Sequence, residues 1–169
     1  MEGSKMLDLA EAVHIDAPPT EVWAVVTDVR RHPELAGPKS ITKAIDFDGP
    51  VAVGAQWVAH EKTGPRRFDA PSEITALEPE HEFAWVSFPP MKEDSRGSGG
   101  RVMWRYTLTP EGSGTRLEHA AVALEPKKGA APLKVLYKLM NIPEQTRKAM
   151  LVTLANVKTA AEATHPPAS

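Results

Sequence analysis

RVMWRYTLTPEGSGTRLEHAAVAL, residues 101–124, reads as two apolar-polar alternating runs around the turn Pro110-Glu111-Gly112-Ser113-Gly114, the pattern of an antiparallel hairpin. A helical segment broken by Pro143 follows, in which Met150, Leu151, Leu154, Val157 and Ala161 recur at helical spacing. A sheet followed by one long amphipathic helix has to bury that helix against itself. The order predicts an α+β chain whose sheet curls around its terminal helix and leaves room for a ligand.

Upstream, the chain alternates short apolar stretches with Pro or Gly punctuation. Strands are predicted over Ile41 to Phe47, Ala55 to Glu61, Arg67 to Leu77, Glu82 to Phe88, Val102 to Thr109 and Thr115 to Leu124, as an antiparallel meander. Pro71 falls inside one of them, which predicts an edge position or a bulge. A first strand over Leu9 to Ile15 sets Val13 and Ile15 on one face and Ala12 and His14 on the other. Pro18 and Pro19 then open a helix that runs to just before Asp28, and a short helical turn over Pro33 to Leu35 stops at Gly37. The Pro89 to Gly100 connection has the composition of a mobile surface loop, which needs no function to be flexible. Pro143 is expected to break or kink whatever helix is formed by the apolar run from Leu133 to Ile142.

With 169 residues and no shift in composition, one domain over 1–169 is expected, with a core over 8–162 and frayed termini. The balance of 20 Lys plus Arg against 22 Asp plus Glu lacks the basic excess that phosphate backbones demand, so nucleic acid is not an expected partner. Without cysteine there is neither a disulfide framework nor a thiol nucleophile. The acidic N-terminus does not read as a signal peptide, and no apolar run is long enough to cross a bilayer. A soluble, cytoplasmic protein is therefore expected.

The ordered set Ile15-x-Ala17-Pro18-x-x-x-Val22-Trp23 with Asp28, Val53-Gly54, Ile74-x-x-Leu77-Glu78-Pro79, Phe83-x-Trp85 and Tyr106-x-Leu108-x-Pro110 through Leu117 resembles the SRPBCC superfamily. This START-like, Bet v 1-like group includes polyketide cyclase/dehydrase and lipid-transport proteins, and the similarity covers about residues 8 to 162. The resemblance implies a helix-grip fold: a seven-stranded antiparallel sheet around a long C-terminal helix, two short helices after the first strand, and an apolar cavity between sheet and helix. It also implies binding of lipids, polyketides or similar molecules, with catalysis of cyclisation or dehydration in a minority. Fold alone does not decide between these.

His60-Glu61 and His81-Glu82 each start like a zinc-protease motif, but Gly64 and Trp85 stand where the second His would be. No phosphate cradle or nucleophile elbow is present, and neither a metal nor a cofactor is expected. Strand alternation instead assembles an apolar wall with sparse polar points, the make-up of a small-molecule pocket or of an ordinary core. Trp57 shares a face with Ala59, Phe68 with Ile74, Phe83 with Trp85, Trp104 with Tyr106 and Leu108, and Leu117 with His119, and each of these faces is assigned to the concave side. From the helices, Leu136, Met140, Met150, Leu154 and Val157 would complete the wall. His119 and Glu61 are the inward polar residues and, with Tyr106, the candidate acid-base groups; each also reads as a satisfied core or rim residue. Since Arg105 and Tyr106 alternate, at most one of them points inward.

Lys127, Lys128, Lys134 and Lys138 flank an apolar stretch, which reads either as a patch for transient contact with an anionic membrane or as a lid helix with a solvated face. The expected function is binding or transport of a hydrophobic small molecule in an internal cavity. The alternative is a polyketide aromatase/cyclase or dehydratase using the same pocket. Neither ligand identity nor oligomeric state is legible.

Overall fold

The computed structural model describes residues 5–88, 101–124 and 130–165; the Pro89 to Gly100 connection, Lys127 and Lys128 lie outside them. Strand β1 (Lys5–Ile15) leads into helix α1 (Pro19–Val26), a 3-10 turn (Val29–Arg31) and helix α2 (His32–Ala36). Six strands follow: β2 (Thr42–Asp46), β3 (Gln56–Thr63), β4 (Arg66–Glu78), β5 (Glu82–Ser87), β6 (Arg101–Glu111) and β7 (Gly114–Leu124). Helices α3 (Ala130–Leu139) and α4 (Ile142–Thr164) close the chain. The strands form one seven-stranded antiparallel sheet in the order β1-β7-β6-β5-β4-β3-β2, and α4 packs across it as the gripped helix.

Local chemistry accounts for the main boundaries. Pro19 sits in the first turn of α1, where its missing N–H costs nothing, and Glu21 lies at that helix's positive end. Pro143 occupies the first turn of α4 after Asn141 in the left-handed conformation, so α3 and α4 are separate helices as expected. On α4, Met150, Leu154, Val157 and Ala161 are buried; each of the three larger side chains contributes about 1.5–3 kcal/mol of burial. Leu151, read as part of that stripe, is exposed, because only the 3.6-residue row through Met150 and Leu154 meets the sheet.

Two strand expectations need correction. β1 begins at Lys5 rather than Leu9, because it pairs along the whole of β7, from Lys5 opposite Leu124 to Ile15 opposite Thr115. Pro71 lies on β4, which is interior rather than an edge, and the β4–β5 irregularity falls between Ile74 and Ala76 instead. The proline is tolerated because it sits level with the end of β5, where Phe88 donates its N–H to the Pro71 carbonyl at 2.9 Å.

Specific side-chain bonds fix the link after β1 to β7 and one helix to another. Thr115 Oγ1 donates to the Ala17 carbonyl at 2.8 Å in a buried position, and Asn156 Nδ2 donates to the Leu35 carbonyl at 2.8 Å, joining α4 to α2. At Gly114 the backbones approach so closely that a Cβ would lie 2.3 Å from the Ile15 carbonyl oxygen, so only glycine fits there.

On the opposite face of the sheet, His60 of β3 bonds Asp46 of β2 at 2.8 Å and Asp69 of β4 at 2.7 Å. The Asp46 and Asp69 carboxylates raise its pKa above the ordinary 6.5. A raised folded-state pKa means that the clip is fully present below 6.5 and is lost as pH climbs through the folded value. His60→Gln is therefore expected to lower the melting temperature slightly in mildly acidic buffer and not at all in alkaline buffer. Equal effects at both pH values would show that the charged form contributes nothing.

Candidate functional site

The register of three strands builds the site. Phe83 of β5 stands opposite Tyr106 of β6, which stands opposite His119 of β7; one row along, Trp85 faces Trp104, which faces Ala121. Two cross-strand rows thus place four aromatic rings and one imidazole on the inner face. Trp85 and Trp104 lie 6.3 Å apart with their planes 16° from parallel, and Tyr106 and His119 stack at 4.4 Å. Trp57 of β3 completes the platform, 6.1 Å from Trp85.

His32, at the start of α2, caps this platform from the helical side. Its ring lies 5.2 Å from that of Trp85 and 6.4 Å from those of Trp57 and Tyr106, and its Nε2 is 2.8 Å from the Val26 carbonyl, which fixes it as a donor there. Burial lowers the His32 pKa against the opposing effect of that bond. The sequence reading missed this residue. The signal available was its spacing: His32 stands three residues before Leu35, which is buried, so the two share a helix face.

His119 is the site's electrostatic peculiarity. It is buried, and among the described residues its Nδ1 and Nε2 are the buried side-chain polar atoms left without a hydrogen-bond partner. Burial, reinforced by the neighbouring His32, pushes its pKa down to about 3, so the ring is neutral at physiological pH. Burial likewise pushes the Tyr106 phenol up, and Arg105, its neighbour in the alternation, is exposed.

The remaining candidates divide. Ile74, Phe83, Leu117, Met150 and Leu154 are fully buried, Trp57 and Trp85 nearly so, and Trp104 and Phe68 are half-buried on the same inner face. Leu136 and Met140 do not join the wall: they are 46% and 48% exposed, because α3 turns Leu133 and Tyr137 inward instead. Glu61 is half-buried on β3, with Thr42 Oγ1 donating to its carboxylate at 3.4 Å. Burial raises its pKa above the usual carboxylate range. Three strands, β6, β5 and β4, separate it from His119 in the sheet order and it shares no hydrogen bond with it, so the structure does not bring these two together as a pair. Among the described residues no group of three His, Asp or Glu is placed to hold a metal ion.

Solved structures share this architecture. A protein from Mesorhizobium loti, MLL2253, superposes with a TM-score of 0.64 at 16% identity, over 94% of this chain and 99% of that one. The di-domain ARO/CYC StfQ of the steffimycin biosynthetic pathway superposes with a TM-score of 0.67 at 13% identity, over 94% of this chain and 51% of that one. In sequence, the uncharacterised protein Rv0088 of Mycobacterium tuberculosis is 30% identical over 103 residues, which are 60% of this chain and 42% of that protein. The chain thus matches less than half the length of that curated relative. A family model matches residues 6–162, nearly the whole chain, and the seven-stranded helix-grip sheet is in keeping with it: the chain belongs to the polyketide cyclase/dehydrase and lipid transport family.

Proposed function

We propose that the protein binds a neutral hydrophobic small molecule, a lipid, polyketide or similar compound, between the sheet and α4, and carries it without chemical change. The observation that carries this reading is His119. A buried polar group without a partner costs about 1–3 kcal/mol, and a ligand carbonyl accepting from the ring N–H, or a ligand hydroxyl meeting one of the two ring nitrogens, relieves part of that cost. The surrounding rings supply flat apolar surface that suits an unsaturated or polycyclic guest and disfavours a charged one.

The aromatase/cyclase alternative would use the same imidazole as a base. A base is most effective when its pKa lies near the working pH, and a group pushed down to about 3 takes up a proton poorly in neutral solution. That favours the carrier. Steady turnover of a polyketone mimic by the wild type, abolished in His119→Ala, would reverse the preference.

The carrier reading is tested by NMR of isotope-labelled imidazole nitrogens during titration with naphthol and, separately, with naphthalene. Saturable one-to-one shifts of the His119 nitrogens with naphthol, and several-fold weaker binding of naphthalene, are expected. No movement of the His119 resonances with either compound would remove the reading.

A further inference from the structure

Helix α3 carries a surface that the interior site does not use. Leu133 and Tyr137, one turn apart, face the body of the protein, and Tyr137 packs on the cluster of Leu7, Ala121, Ala123 and Met150 that also contacts Trp104. The opposite arc is apolar and bare: Val135 is 57% exposed, Leu136 46%, Leu139 79% and, just past the helix end, Met140 48%. At 3.6 residues per turn these side chains fan around one side of the helix, with Lys134 and Lys138 on its flank. Beneath that flank a groove of about 340 Å³ lies between α3, the start of α4 and the start of β1, lined by Lys5, Met6, Lys134, Tyr137, Lys138, Asn141 and Pro143.

We infer that α3 docks this protein on an anionic membrane, its apolar arc sinking into the headgroup region while the flanking lysines meet lipid phosphates. Charge complementarity selects this occupant. Helix α3 contains two lysines and no acid, and residues 125–140 hold four lysines against one glutamate in a chain whose net charge is −2. A second copy would bring an identical basic flank against this one, which like-charge repulsion opposes. Long lysine side chains beside an apolar arc also match the way interfacial helices lie, with stems buried and ammonium groups raised to the phosphates. No helix among the described residues is long and apolar enough to cross a membrane, so the contact is peripheral. The inference stands independently of the interior site.

The test is co-sedimentation of the whole protein with vesicles of phosphatidylcholine containing about 30 mol% phosphatidylserine, against pure phosphatidylcholine. Binding to the anionic vesicles is expected to be roughly tenfold tighter or more, and to weaken as salt rises. Val135→Glu with Leu139→Glu is expected to reduce it at least about tenfold, and Lys138→Glu at least about fivefold. Val53→Glu, an equally exposed position in the loop before β3, should leave it unchanged, and all the altered side chains are exposed enough to leave the circular dichroism native. Equal binding to both vesicle types, or anionic binding that survives the Val135/Leu139 pair, would overturn the inference. So would a concentration-dependent dimer that the same pair abolishes without any vesicle binding, which would assign the face to a second copy.

Discussion

His119→Leu is expected to make the protein more stable and less able to hold its ligand. Removing the two unpartnered nitrogens recovers about 1–3 kcal/mol of desolvation, against about 0.5–1.5 kcal/mol lost with the Tyr106 stack, for a net gain of about 1 kcal/mol at neutral pH. The larger effect comes in acid. His119 has a folded-state pKa near 3 and an ordinary value of 6.5, so the unfolded chain takes up a proton that the folded protein refuses. Wild-type stability is therefore full above 6.5 and falls as pH drops below it, by up to about 1.4 kcal/mol per unit for this residue. His32, also depressed, adds a second slope of the same sign that the variant retains. Urea unfolding in moderately acidic buffer, about two units below the ordinary value, should show the variant ahead of wild type by about 3 kcal/mol or more. At the same time its affinity for naphthol should fall about tenfold, the loss of roughly one hydrogen bond. An unstable variant with parallel acid profiles would mean that His119 is paired in solution and is an ordinary core residue.

Phe83→Ala is expected to cost about 3–5 kcal/mol in urea unfolding, with an unchanged denaturant slope. Phe83 has no exposed surface and lies 5.3 Å from the ring of Trp85, directly opposite Tyr106. The cost combines the lost transfer of an aromatic side chain with a cavity that the stiff sheet cannot collapse around. A loss below about 1 kcal/mol would show that the interior at this level is loosely packed before any substitution.

The strands were legible because their alternation is governed by one rule, that successive side chains face opposite sides, and Pro and Gly mark where each run stops. That rule correctly set Tyr106 inward and Arg105 outward, and put Trp85, Trp104 and His119 on one face. What it could not supply is neighbour identity across strands. That Tyr106 faces His119, and that Glu61 stands strands away from it, follow from register and sheet order. Helices were less transparent. Pro143 announced the α3–α4 break, but which side of α3 meets the body depends on the docking of Tyr137 on the cluster of Leu7, Ala121, Ala123 and Met150, so Leu136 and Met140 were assigned to the wrong side. His32 was overlooked because it lies in a helix of five residues, too short for periodicity to show without attention to its spacing from Leu35.

Native mass spectrometry of the wild-type protein, sprayed with naphthol present and compared with His119→Leu, bears most directly on whether the aromatic interior admits a guest. The expected spectrum shows a one-to-one adduct on the wild type that is markedly depleted on the variant. A spectrum holding only the bare polypeptide mass as naphthol is raised to its solubility limit, for both proteins, would contradict the account.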